Sequence, residues 1–168
     1  MTRKITLAVA LTAALTLAAC GDEGEPPLSH QTVTFTEQET ENFGFADHPP
    51  ATKLGDEGPQ RLSSSDQLTF SNDLLDGAHK DVGDLEVSCT VTRPGGFDDS
   101  HLQCAGTATV PGGTLTLARG GRVFSGEDPA GSIVGGTGSY AGATGDFTES
   151  EDEAGPTRYT FRVQVPER

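Results

Sequence analysis

The chain has 168 residues, with 11 Lys and Arg against 25 Asp and Glu, and a formal net charge of -14 at neutral pH. Such a balance argues against nucleic acid or an anionic lipid surface as partner, since both require positive potential. With no Trp, two Tyr, eight Phe and 22 Gly, the composition suits one domain with a modest core, which a covalent constraint would help to hold together.

Arg3 and Lys4 precede an uncharged stretch over residues 5–19 that is rich in Leu and Ala. This reads as an export signal, because it is too short for a convincing membrane span. It ends in Leu17-Ala18-Ala19-Cys20-Gly21, which resembles the lipobox of bacterial lipoproteins. The expectation is cleavage before Cys20 and acylation of its thiol, which would anchor the protein on the extracytoplasmic face of a membrane of the cell envelope. An ordinary signal peptide with a chance cysteine after its cleavage site is the plainer alternative. Loss of residues 1–19 leaves 9 basic against 25 acidic residues, a net charge of -16, so the lipid and not the surface charge would hold the protein at the membrane.

Residues 20–30 are acidic and carry Pro26-Pro27, the composition of a flexible tether. Residues 31–37 alternate, Val33 and Phe35 on one side and threonines on the other, as in a half-buried strand. Residues 39–60 are polar and contain Pro49, Pro50 and Pro59, and suggest a long mobile loop or a lid. Eight further strands are expected at 67–71, 85–92, 102–110, 114–118, 122–125, 132–134, 146–150 and 158–165, one of the nine in all being an edge or a broken strand. No stretch of ten residues has a helical period, so the class is all-β.

Once Cys20 is assigned to lipid, Cys89 and Cys104 remain as an even pair in an oxidising compartment, which reads as a disulfide. Leu85, Val87, Cys89 and Val91 share one face of a hairpin whose return strand carries Leu102, Cys104, Gly106 and Ala108. If the hairpin folds symmetrically, the two cysteines face each other within bridging distance.

Three segments resemble the allene oxide cyclase barrel family, which is related in architecture to the dirigent proteins of plants. They are Phe70-Ser71-Asn72 with Asp76-Gly77 and then Cys89; Val134-Gly135-Gly136-Thr137-Gly138-Ser139-Tyr140 with Gly142, Gly145 and Asp146; and Tyr159-Thr160-Phe161. The resemblance implies a single eight-stranded antiparallel β-barrel over residues 31–168, whose interior can hold one small apolar molecule. It further implies a ligand pocket drawn from Glu37, Phe70, Asn72, Cys89 and Phe124. Glu37 and Asn72 are the candidates for catalysis, with Glu39 an alternative for the carboxylate. The strand that carries the family's pocket tyrosine reads Arg122-Val123-Phe124-Ser125 here, and Cys89 would be oxidised. Asn72 reads equally as a residue satisfying backbone groups near a turn, and Glu37 reads more simply as a solvated charge at a strand end.

Other chemistry finds less support. Gly136-Thr137-Gly138-Ser139-Tyr140-Ala141 meets a loose dinucleotide pattern, but a strand at Asp146 leaves no room for the helix that pattern needs. Tight turning with Tyr140 packed inward is the preferred reading. Glu149, Glu151, Asp152 and Glu153 lack the alternating ligands of a calcium loop, and suggest a solvated turn. His30, His48, His79 and His101 show no ligand spacing, so no metal and no cofactor are expected. A Gly-x-Ser-x-Gly elbow is absent from the sequence. The resulting expectation is a lipid-anchored binding or interaction module for a small hydrophobic ligand, with contact to the membrane through the anchor alone and no nucleic acid partner. An isomerase or cyclase on an oxidised lipid or phenolic substrate is the alternative, and cyclisation of an allene oxide is not expected. Oligomeric state stays open.

Overall fold

A computed structural model of the chain describes residues 27–48, 54–55, 58–59, 61–123, 130–150 and 157–167. Among the described residues eight strands form a barrel: β1 (Leu28–Ala46), β2 (Gln67–Leu75), β3 (Asp81–Arg93), β4 (His101–Val110), β5 (Gly113–Gly121), β6 (Ala130–Gly136), β7 (Thr144–Ser150) and β8 (Arg158–Pro166). Each pairs antiparallel with its neighbour in sequence, and β1 pairs with β8 to close the barrel. The all-β, eight-stranded reading therefore holds. A closed barrel leaves no long unpaired edge.

Closure depends on β1, which spans 19 residues. Its first half pairs with β8 up to Thr36 against Arg158, and its second half pairs with β2 from Thr36 against Leu75 onward. Leu28 to His30, placed in the tether by composition, are thus part of the barrel. So are residues 39–46, expected as loop. Their period is hidden by a bulge: Gln38 faces Asp73 and Asn42 faces Ser71, so residues 39–41 together oppose Asn72. Beyond it Phe43 and Phe45 pair with Phe70 and Leu68. In the rest of that expected loop, Leu54–Gly55 pairs with Gly58–Pro59.

The expected strand at 122–125 does not form in the part that is described. β5 ends at Gly121, Arg122 and Val123 follow outside any strand, and Phe124 lies outside the described residues. The cysteine hairpin has the expected register, with Leu85 opposite Ala108, Val87 opposite Gly106, Cys89 opposite Cys104 and Val91 opposite Leu102. Cys89 and Cys104 are joined in a disulfide.

Inward side chains form two apolar clusters. The larger centres on Phe161, which is fully buried, with the rings of Phe35, Phe147 and Tyr159 at 6.0 to 6.3 Å. The smaller contains the disulfide with Leu62, Leu68, Val91 and Leu102. Leu62 comes from a two-residue ribbon, Arg61–Leu62, that pairs with Gly95–Gly96 in the β3–β4 connection and covers this cluster. Burying such a leucine is worth roughly 1.5–3 kcal/mol. Asp66 fixes the ribbon: its carboxylate accepts from the backbone N–H of His48 at 2.9 Å and of Ser63 at 2.7 Å, and from the Ser63 hydroxyl at 2.7 Å.

The glycine-rich segment after β6 forms one short 3-10 turn, Gly138–Tyr140. Gly138 has φ +60°, and a Cβ there would stand 2.2 Å from the Gly112 carbonyl oxygen, so no other residue fits. Tyr140 is buried as expected, and its hydroxyl donates to the Pro111 carbonyl at 3.2 Å.

Candidate functional site: a cavity with a polar belt

Between the two clusters lies a cavity of about 410 Å³. Leu85, Val87, Leu117 and Phe147 give it apolar walls, the Cys89–Cys104 disulfide closes one side, and Phe70 and Phe43 flank it. Phe43 is 55% exposed although its backbone partner Phe70 is largely covered. The cavity therefore reaches the surface beside an apolar ring that a bound molecule could cover.

Around the interior runs a belt of polar side chains drawn from five strands. Asn72 on β2 donates its amide to Glu37 Oε1 on β1. Tyr159 on β8 is within hydrogen-bonding reach of Glu37 and of Glu149 on β7, the latter at 3.5 Å. Arg119 on β5 pairs with Glu149 at 2.8 Å, and its other terminal nitrogen donates to the Val123 carbonyl at 3.0 Å. All five belt residues line the cavity. Burial, followed by the charges of Glu149 and Glu37, pushes the Tyr159 hydroxyl far above the ordinary tyrosine range. It remains a neutral donor at any physiological pH.

β6 pairs with β5 as far as Ser132 against Ala118 and, within the described residues, with β7 from Ala130 against Thr148. One residue past each of these positions come Arg119 and Glu149, which meet directly. The side chain of Arg119 is 9% exposed and that of Glu149 is 29% exposed, a degree of enclosure at which an ion pair is screened less than at the open surface.

Of the residues singled out from sequence, Glu37, Phe70, Asn72 and Cys89 come together at this one cavity, whereas Phe124 and Cys20 lie outside the described residues. Glu37 is not a solvated strand end, being 8% exposed and turned inward. Asn72 is not at a turn. It sits within β2 opposite Leu85 and is 7% exposed. Glu39 falls in the β1 bulge. Glu149, grouped from sequence with a solvated acidic run, belongs to a strand and to the belt, and residues 151–153 lie outside the described residues. A tyrosine does line the cavity, from β8 and not from the segment at 122–125.

Arg119, Glu149 and Tyr159 were missed as site residues, yet a signal for them exists. Inward positions repeat every second residue, and Leu115 and Leu117 lead to Arg119, Phe147 leads to Glu149, and Phe161 leads back to Tyr159. Extending each apolar alternation by one step past its last aliphatic or Phe residue finds all three.

No family model and no curated protein matches the chain. Solved structures do match in fold. A pyocyanin demethylase superposes with a TM-score of 0.60 at 24% identity, covering 79% of this chain and 99% of that one. A pterocarpan synthase dirigent protein gives 0.60 at 19% identity over 85% and 93%, and a Diels-Alderase from Streptomyces koyangensis gives 0.52 at 18% over 81% and 64%. The chain is thus an eight-stranded barrel of the architecture that dirigent proteins and Diels-Alderases share. At these identities the likeness is one of fold, and fold alone does not set function.

Proposed function

We propose that the protein is a lipid-anchored component of the cell envelope whose barrel binds one small, largely apolar molecule with a polar group turned toward the Asn72–Glu37–Tyr159 wall. The observation that carries this reading is the cavity itself: about 410 Å³, within the range of small-molecule sites, with apolar walls and a few convergent polar groups. Barrels of the same fold bear the names pyocyanin demethylase, pterocarpan synthase and Diels-Alderase, all of which denote work on small organic molecules. The anchor rests on the lipobox at Cys20.

A second reading, an isomerase or cyclase acting on an oxidised lipid or a phenolic compound, is favoured by the contact of Asn72 with Glu37 inside the cavity. A free thiol at Cys89 is not available to it, because that sulfur is bonded to Cys104.

Native mass spectrometry of protein purified from its source membrane tests the first reading. The expected spectrum shows a chain beginning at an acylated Cys20 and carrying a small molecule that leaves on denaturation. Leu117→Trp, which fills the cavity, should abolish the adduct. An unacylated chain would end the anchor proposal, and an adduct that survives in Leu117→Trp would place the ligand elsewhere.

A further inference from the structure

Tyr159 stands between two carboxylates, and a phenol has one proton to give. Its hydroxyl is placed to donate to Glu149 Oε1 at 3.5 Å and is also within hydrogen-bonding reach of Glu37. Whichever carboxylate receives that proton, the other meets the lone pairs of the same oxygen. That second contact is attractive only if the second carboxyl itself carries a proton. Glu37, Tyr159 and Glu149 therefore form a line with a place for one additional proton.

Burial gives the line a direction. Glu37 and Tyr159 are 8% and 5% exposed, while the Glu149 side chain, beside Arg119, is 29% exposed. The amide of Asn72 fixes the orientation of the Glu37 carboxylate. A molecule filling the cavity covers Glu37, and Tyr159 then joins that inner carboxylate to the outer one.

We propose that Glu37, Tyr159 and Glu149 form a proton conduit between a ligand in the cavity and solvent, and that the ligand carries an acidic hydrogen on an apolar frame, as a phenol or an enolisable ketone does. The proposal rests on the ligand-binding reading above and specifies the chemistry of the bound molecule. For a ketone, a Glu37 oxygen takes the hydrogen next to the carbonyl. The electron pair of the broken C–H bond forms the enolate C=C while the carbonyl π pair moves to oxygen. The proton on Glu37 passes to the Tyr159 oxygen as the tyrosine's own proton moves to Glu149, which releases it to water. The reverse sequence returns a solvent proton to carbon. Atoms and charge balance without any oxidant, reductant or co-reactant.

The test uses 2-tetralone, an apolar bicyclic ketone, with the intact protein in D2O. NMR follows binding from line broadening and, in the same sample, exchange of the hydrogens next to the carbonyl. Positioned acid–base groups accelerate such transfers by roughly 10²–10⁴-fold, so the wild-type protein should exceed buffer by at least about tenfold. Glu37→Gln should remove the acceleration. Tyr159→Phe should lose most of the acceleration per bound tetralone, the bound fraction being read in the same sample, and Glu149→Gln, at the more exposed end, should lose it likewise if Tyr159→Phe folds poorly. Bound tetralone exchanging at the buffer rate overturns the conduit and leaves the binding reading standing, as does a wild-type rate in a folded Tyr159→Phe or Glu149→Gln protein. Failure of tetralone to bind counts against the binding reading and removes the conduit with it.

Discussion

Among the described residues two carboxylates are buried, Asp66 at 0% exposure and Glu37 at 8%, and their surroundings differ in kind. Asp66 is held by the backbone N–H groups of His48 and Ser63 and by the Ser63 hydroxyl. It stands beside the Leu62 ribbon that covers the smaller cluster and is not among the residues lining the cavity. Glu37 meets the side chains of Asn72 and Tyr159 and faces the cavity. A carboxylate whose acceptors are filled by backbone donors is tied to one chain conformation and has little freedom to take up a proton. One that is met by side chains at the wall of a cavity is open to whatever the cavity holds. The disulfide end of the molecule is thus built for stability, and the belt is where the proposed chemistry would lie.

The largest effect expected from this contrast lies at the disulfide. The double variant Cys89→Ala with Cys104→Ala removes a bridge between residues separated by 15 in sequence and should lower the unfolding free energy by about 2–5 kcal/mol, measured by denaturant titration. A loss inside experimental error would show that the disulfide end does not anchor the fold.

Asp66→Asn comes next, at about 1–3 kcal/mol, with ligand binding unchanged. Burial alone would raise the pKa of Asp66, but the hydrogen bonds from His48 and Ser63 outweigh it and hold the carboxyl below the usual aspartate range. A lowered folded-state pKa contributes stability above the unfolded value of about 3.9, and that contribution is lost as pH falls through the folded value. Stability of the wild type should therefore drop below about pH 4 more steeply than that of Asp66→Asn. Equal slopes would remove Asp66 as the source.

The smallest effect at neutral pH is expected for Tyr159→Phe, about 1 kcal/mol or less. Its signature appears in alkali. The folded-state pKa of Tyr159 is raised by burial and by Glu149 and Glu37, so its contribution is present below the unfolded value of about 10 and is lost as pH rises above it. The wild type should unfold more readily than Tyr159→Phe above about pH 10, as followed by circular dichroism against pH. Parallel alkaline curves for the two proteins would mean that the hydroxyl is not enclosed as described.

Much of the barrel was legible because its determinants are local. Alternation of Val87, Cys89 and Val91 against Leu102 and Cys104 sets both the hairpin register and the disulfide, since a slip of one residue would turn every side chain to the other face. Glycines such as Gly138 mark turns because their dihedrals exclude a side chain. Residues 39–46 were not legible as a strand, because the bulge opposite Asn72 interrupts the period on which such a reading depends. The belt lay further out of reach. In sequence, Glu37, Arg119 and Glu149 look like the solvated charges that end many strands, and they are separated by up to 112 positions. What brings them together is closure of β1 on β8, with Arg119 of β5 and Glu149 of β7 meeting as an ion pair. Period and turn chemistry act over a few residues and can be read along a chain, whereas inward charges find their partners only once eight strands have closed a ring around them.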